Sequence, residues 1–268
     1  GMTYETLLYA VDDGIARVSL NRPAHLNALT SLMVEELLDV IARVGSDDEV
    51  RVLLLKGEGR AFCSGADLGS VAAGDVPMDE DGKADIGKPL ETHYNPLVMA
   101  MQALPKPIIA SVNGIAAGAG CSIALMADLT IAARSAKFLQ AFVNIGLMPD
   151  AGSTWLLPRR VGSQRAMGFA ILGKPITAEL ALEWGLIWDM VEDDQLEAAC
   201  TQVATQLATG PAVAQARIKQ AIQQGGVQSL SEQLHLERVE QRKLGLTHDC
   251  MEGVTAFIQK RKAQFKGR

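Results

Sequence analysis

Two six-residue stretches near the start of the chain, Leu7–Asp12 and Ile15–Leu20, alternate with the period of a strand. Asp13-Gly14 between them is hairpin chemistry, because glycine tolerates positive φ. The period then lengthens: Met33, Leu37, Val40, Ile41 and Val44 recur at helical spacing behind Thr30 or Ser31, either of which can cap a helix. Val50–Leu55 follows as a continuous apolar run of buried-strand length. The alternation repeats, with a helix marked by Tyr94, Leu97, Met101 and Leu104, a strand over Ile108–Val112, a short helix over Cys121–Met126 and a strand over Leu129–Ala133. Strands alternating with helices predict an α/β fold with a largely parallel, helix-covered sheet.

Two regions depart from this pattern. Between Gly69 and Pro89 the periodicity vanishes among Gly, Asp and Glu, a composition that buries too little apolar area to offset chain entropy and predicts a mobile loop. From Leu196 onward no strand pattern remains, and Leu196, Cys200, Val203 and Leu207 mark a helix stopped by Gly210-Pro211. The chain thus divides into a core over residues 2–195 and a helical region over 196–268. The last helix is expected to begin at Asp249 with Glu252 in a capping box, its Lys260, Arg261 and Lys262 compensating the macrodipole.

With 268 residues, 48% of them hydrophobic and 21% charged, the chain can fill one large core or one core with an appendage. A net charge of −6 gives no general attraction to nucleic acid or to anionic membrane. Cys63, Cys121, Cys200 and Cys250 are scattered without a C-x-x-C or a histidine at ligand spacing, so reduced thiols, a cytoplasmic location and no metal are expected. There is neither an 18-residue apolar run nor a signal-peptide pattern, and Gly1 ahead of Met2 reads as a cloning remnant.

Candidate chemistry sits in two turns, each after a predicted strand. Gly59-Arg60-Ala61-Phe62-Cys63-Ser64-Gly65-Ala66-Asp67-Leu68 packs small residues where a backbone must bend and approach a ligand. Asn113-Gly114-Ile115-Ala116-Ala117-Gly118-Ala119-Gly120 leads into a helix, whose free N–H groups favour negative charge. Together they can aim two N–H groups at one oxyanion. Asp150, in Gly146-Leu147-Met148-Pro149-Asp150-Ala151-Gly152, allows two readings. As the N-cap of the following helix its pKa would fall; desolvated among Phe142, Leu147, Met148 and Trp155 it would rise toward that of a useful base.

Asn21-Arg22-Pro23 with Leu26-Asn27-Ala28-Leu29, the Ser64–Leu68 turn, Lys106-Pro107 through Asn113-Gly114, and Phe257-Ile258-Gln259-Lys260-Arg261-Lys262 with Phe265 closely resemble the enoyl-CoA hydratase/isomerase (crotonase) family, in the family's order and over nearly the whole chain. The resemblance implies the crotonase (ClpP-like) fold, a spiral of β-β-α units forming two roughly perpendicular sheets with a helical C-terminal trimerisation subdomain. It implies a thioester carbonyl held by the N–H groups of Ala66 and Ala119, one such donor being worth ~2.7–4 kcal/mol of barrier. The family usually has glycine at the second position, and Ala119 would be strained if its φ were positive. Ser64 and Leu68 match positions beside the CoA adenine; Phe257 and Lys260 match positions that reach the CoA of a neighbouring subunit in a trimer or dimer of trimers. CoA enters as part of the substrate, and no prosthetic group is implied.

The family's hydratases place two glutamates around a water, and here the matching positions hold Ser122 and Phe142, neither able to replace a carboxylate as acid or base. Members that shift double bonds carry an aspartate where Asp150 stands. Tyr94-Asn95-Pro96-Leu97, Ala133–Phe138, Gly146–Asp150, Thr154–Arg159 and Glu183–Trp188 resemble the branch that isomerises ring-1,2-epoxyphenylacetyl-CoA to an oxepin. The expected activity is therefore acyl-CoA isomerisation by a single-carboxylate proton shuttle, on that substrate or from Δ3- to Δ2-enoyl-CoA. Hydration, dehalogenation of an aryl-CoA through Asp150 as nucleophile, and a CoA-sensing or RNA-binding role are the alternatives. His25, His93, His235 and His248 lie outside the matched motifs and are expected to be solvated or structural.

Overall fold

The computed structural model describes residues 3–268; Gly1 and Met2, and with them the reading of Gly1, lie outside the described residues. Strands β1 (Leu7–Asp12) and β2 (Ile15–Leu20) form the expected hairpin, with Asp12 opposite Ile15 and positive φ at both turn residues, 49° at Asp13 and 79° at Gly14. Such a turn matches the right-handed twist of the strands. Helix α1 (Ser31–Ser46) is capped by Thr30, whose hydroxyl accepts from the Met33 N–H at 3.1 Å. It returns the chain to β3 (Val52–Gly57), which lies parallel to β2.

After the four-residue α2 (Gly69–Ala72), a wide single turn over Leu90–Tyr94 leads into α3 (Asn95–Ala103). Then come β4 (Ile108–Val112), β5 (Ile115–Ala117), α4 (Ala119–Met126), β6 (Leu129–Ala133) and β7 (Lys137–Leu139). Next in order are α5 (Ser153–Val161), α6 (Ser163–Leu172), β8 (Ile176–Thr177), α7 (Ala178–Glu183) and β9 (Asp189–Val191). The larger sheet has the order β1-β2-β3-β4-β6-β9, parallel from β2 onward; the smaller has the order β5-β7-β8. This is the crotonase fold, with α8 (Leu196–Ala208), α9 (Ala212–Gly225), α10 (Leu230–Gly245) and α11 (His248–Gln259) completing the chain.

The middle strands of the larger sheet, β3, β4 and β6, are buried on both faces, which is why they read as unbroken apolar runs, whereas the edge strand β1 is mostly exposed. Leu53 and Leu55 of β3 face a core shared with Met33, Leu37, Leu97, Met101 and Ile123, while Val52 and Leu54 face Ile109, Ile131, Leu196, Cys200 and Ala204. Burying each such side chain contributes about 1.5–3 kcal/mol. Helix α8 thus forms one wall of the sheet. Among α9 and α10, in contrast, no residue is fully buried. The principal tie of α9 is Lys219, whose Nζ bonds Asp128 at 2.9 Å and also donates to Met101 O and Lys106 O.

Two local expectations are corrected, and the loop over 69–89 carries short-range structure of its own. The segment 69–89 holds α2 and a bridge pairing Met78 with Ala84, because Asp79 Oδ1 accepts from the N–H groups of Asp81 and Lys83 and closes a turn. The last helix is capped by Thr247, not Asp249; the Asp249 carboxylate instead accepts from the N–H groups of Lys266 and Gly267, each at 2.7 Å, and ties down the tail. The sequence signal was misplaced, since the capping box belongs to Ser229 and Glu232 at the start of α10. Lys260 lies past the helix at φ 55° and Arg261 pairs with Glu252 at 2.7 Å, so these cations do more than compensate a dipole.

Candidate active site

Past β3 the chain turns back beneath β5, with Cys63 bridged to Ala116, and then runs beside Leu29, which is bridged to Ala66. Leu29 N–H donates to Gly65 O and Asp67 N–H to Leu29 O, both at 2.8 Å. Alternation along an extended backbone turns the intervening Ala66 N–H to the opposite side, where it donates to no acceptor among the described residues. The turn is braced from behind. Arg22 donates to Ala28 O and, at 3.0 Å, to Asp67 Oδ2, while Asp67 Oδ1 accepts from Gly69 N–H at 2.9 Å. The Gly69 N–H and the Arg22 guanidinium hold the Asp67 carboxyl below the usual range.

The second turn meets the first. Gly118 takes a φ of 55°, and a Cβ on it would stand 3.8 Å from the Cα of Gly65, so the residues that follow the two glycines, Ala66 and Ala119, come side by side. Helix α4 begins at Ala119, two residues earlier than its apolar pattern predicts, and the Ala119 N–H is a first-turn donor with no acceptor among the described residues. Gly118 carries the positive φ, so the alanine at 119 is unstrained. Gly120 permits the approach, since a Cβ there would lie 2.5 Å from Cys63 O.

Asp150 is not an N-cap. Ala151 and Gly152 both take positive φ, 52° and 86°, and Gly152 occupies the cap position of α5. Only the backbone carbonyl of Asp150 serves the helix, accepting from Ser153 N–H at 3.1 Å. The side chain is left in apolar surroundings with Oδ1 sealed and unpartnered, and burial pushes its pKa up to about 6. Of the two sequence readings, the desolvated carboxyl stands.

Ser122 and Phe142 have other work here. The Ser122 hydroxyl lies 3.2 Å from Gly118 O and 3.1 Å from Asp150 O, and also meets Ser153 Oγ, which accepts from Gln140 Nε2 at 3.1 Å. This buried polar cluster clamps the Asp150 turn to the start of α4. The Phe142 ring lies 3.8 Å from the place of a Gly118 Cβ, an apolar cover over the turn. Gln140 and Ser153 were not singled out in the sequence, because their role depends on a crossing of chain segments that no local pattern records. Tyr94 was noted only within a motif, yet the fold sets it near Cys63 and Asp150.

Ser64 is partly buried, with its hydroxyl 3.4 Å from His25 O, and Leu68 is 50% exposed at the rim of the first turn. Phe257, 84% exposed, and Lys260 lie at the end of α11, and no hydrogen bond joins them to these turns within the described residues. The one-chain structure therefore brings Ala66, Ala119 and Asp150 together and leaves Phe257 and Lys260 apart. Of the histidines, His93 pairs with Glu35 and His248 with Asp249, and His25 meets Ser64 through its backbone carbonyl alone.

A sequence profile described as "Enoyl-CoA hydratase/isomerase" matches residues 10–268. The chain belongs to the enoyl-CoA hydratase/isomerase family. It is 48% identical over 265 residues to the 1,2-epoxyphenylacetyl-CoA isomerase of Escherichia coli strain K12, covering 98% of this chain and 99% of that protein. It is 45% identical over 267 residues, the whole of both chains, to a Rhodobacter capsulatus protein called "Probable enoyl-CoA hydratase". The crystal structure of an enoyl-CoA hydratase from Bacillus anthracis superposes with a TM-score of 0.91 at 30% identity, covering 98% of this chain and 100% of that one. Members of the enoyl-CoA hydratase/isomerase family act on acyl-CoA thioesters, and the site's two unused N–H donors and single desolvated carboxyl are to be read in those terms. Among the described residues no helix is long and apolar enough to cross a membrane.

Proposed function

We propose that this protein is an acyl-CoA isomerase in which Ala66 and Ala119 hold the thioester oxygen and Asp150 moves a proton between carbons of the acyl group. The observation that carries the reading is the isolation of Asp150: one carboxyl, unpartnered at Oδ1, with a pKa of about 6 and no second acid at positions 122 or 142. Proton removal next to a thioester builds charge on the carbonyl oxygen, which two fixed N–H groups and the start of α4 stabilise without reorganising. Return of the same proton to another carbon needs only the one base, now an acid. Hydration would require a positioned water and a second acid–base group, and the Ser122 hydroxyl is committed to the clamp.

The substrate we favour is ring-1,2-epoxyphenylacetyl-CoA, rearranged to its oxepin, with Δ3-to-Δ2 enoyl-CoA isomerisation as a second use of the same shuttle. Similarity to the E. coli 1,2-epoxyphenylacetyl-CoA isomerase supports the first, and apolar Phe142, Leu147, Met148 and Trp155 suit an aromatic acyl group. Ser64 and Leu68 flank the CoA adenine, and Phe257 and Lys260 complete that pocket from a neighbouring subunit in a trimer or dimer of trimers. No prosthetic group takes part, and the working location is the cytoplasm.

The test offers the protein ring-1,2-epoxyphenylacetyl-CoA, a 3-enoyl-CoA and crotonyl-CoA separately, with products followed by chromatography and mass detection. Products of unchanged mass from the first or second are expected. Efficient gain of one water on crotonyl-CoA would replace the isomerase reading by a hydratase, and an aryl ester trapped on Asp150 would replace it by the dehalogenase chemistry.

A further inference from the structure

Tyr94 ends the five-residue wide turn Leu90–Tyr94 and leads directly into α3. A turn of this kind widens a helix locally and redirects the side chain at its end. Four residues on, along the same helical face, Val98 Cγ1 lies 3.6 Å from the place of a Cβ on Gly152, so this face of α3 packs against the turn that carries Asp150. Cys63, at the root of the Ala66 turn, and the Asp150 carboxylate both lie near enough to act on the Tyr94 phenol. Tyr94, one helical turn before Val98 on that face, is thus set beside the Asp150 turn.

Its ring is buried, with the residue only 8% exposed, yet the hydroxyl has no hydrogen-bond partner among the described residues. Nor is it sealed, unlike the hydroxyl of Tyr9, which is both occluded and unpartnered. A phenol in an apolar setting whose hydroxyl retains an opening is a donor held ready for an acceptor that arrives from outside. Burial, with Cys63 and Asp150 nearby, pushes its pKa upward, so it stays protonated and cannot compete with Asp150 as a base.

We propose that the Tyr94 hydroxyl donates a hydrogen bond to an oxygen substituent on the acyl group, and so selects oxygenated acyl thioesters over plain hydrocarbon ones. The inference rests on the acyl-CoA isomerase reading and deepens it by assigning a residue to the substrate's ring oxygen. Ring expansion to the oxepin breaks the C–C bond shared by the two epoxide carbons and keeps both C–O bonds, so the oxygen remains an acceptor from substrate to product and a neutral donor can hold it throughout without giving up its proton. A hydrocarbon acyl group would leave the buried hydroxyl unpaired, and that loss is the source of the discrimination.

The test compares wild type with Tyr94→Phe, which keeps the ring and removes the donor. Dissociation constants are measured by calorimetry for 2-hydroxyphenylacetyl-CoA and for phenylacetyl-CoA, the plain analogue serving as the control for folding. Wild type is expected to prefer the hydroxylated analogue by about ten-fold and the variant to lose that preference. In turnover, kcat/KM for the ring epoxide should fall about ten-fold while that for a 3-enoyl-CoA changes less than about two-fold. Equal losses on both substrates, or a preference that survives in the variant, overturn the inference. A wild type that shows the Tyr94-dependent preference but isomerises neither thioester removes the isomerase reading and leaves this one standing.

Discussion

Asp150 differs from the other carboxyls near the site in having nothing to hold. Asp67 is fixed by Arg22 and Gly69, whereas Asp150 is displaced from the helix cap by two successive left-handed residues, one of them the alanine at 151. A non-glycine residue in that region costs about 1–3 kcal/mol, a cost that persists where surrounding structure imposes it, as the Ser122–Ser153–Gln140 cluster does here. Replacing Asp150 by Asn should lower turnover by about 10²–10⁴-fold with CoA affinity little changed, read as kcat against the dissociation constant of a product thioester. Because the base form exists above a pKa of about 6, wild-type turnover should fall about ten-fold per pH unit well below that value. Stability moves the other way. The folded-state pKa is raised from 3.8, so this residue's contribution is fully present below pH 3.8 and is lost as pH rises through about 6. Asp150→Asn should therefore raise the melting temperature at pH 8 and change it little at pH 4; a larger gain at pH 4 would contradict the burial argument.

At the scale of elements the site depends on how closely α4 can approach the Ala66 turn. Gly120→Ala would set a methyl 2.5 Å from Cys63 O and 2.7 Å from its Sγ, both in a fully buried region. Relief by backbone shift should cost about 1–3 kcal/mol in urea unfolding and carry Ala119 away from Ala66, lowering kcat more than it raises KM. Much of this architecture was legible beforehand. β4 and β6 keep their expected bounds because a two-face-buried strand writes a continuous apolar run, and Thr30 caps α1 where the period begins. The two turns were visible as glycine-rich segments. β5, β7 and β8, of three, three and two residues, are too short to show a period, and they exist because neighbouring segments supply their partners. Asp150 stands just ahead of a helix and Asp249 in the first turn of one, and both looked like caps, but local sequence does not record that Gly152 and Thr247 take those places. The family resemblance, not the spacing, identified Ala66 and Ala119 as a pair.

Over the whole molecule, the C-terminal helices are the least self-sufficient part. Helices α9 and α10 bury no residue completely, and helices of 14 and 16 residues gain little stability in water without a packed apolar face. One anchor is the buried pair of Lys219 and Asp128, where burial favours the neutral form of each partner and their mutual attraction opposes it. Lys219→Ala would leave Asp128 without its ion-pair partner and should cost about 3 kcal/mol in urea unfolding.

The remaining surface is conspicuously apolar. Ile218 and Ile222 on α9, and Leu230 and Leu234 on α10, are one helical turn apart within each helix, and each is 55% exposed or more. Phe257 and Ile258 at the end of α11 are 84% and 72% exposed. Exposed apolar area of this kind is stabilised by covering it, and the trimer we propose would do so while delivering Phe257 and Lys260 to a neighbour's CoA pocket. Sedimentation should accordingly give a species of about three or six times the 28.6 kDa chain. Ile222→Glu with Leu230→Glu should dissociate it and weaken CoA binding, although neither residue belongs to the pocket. Lys260→Ala in the intact assembly should weaken CoA binding without dissociation. A wild-type monomer with full CoA affinity would mean that each chain completes its own pocket and that the apolar faces of α9 and α10 serve another purpose.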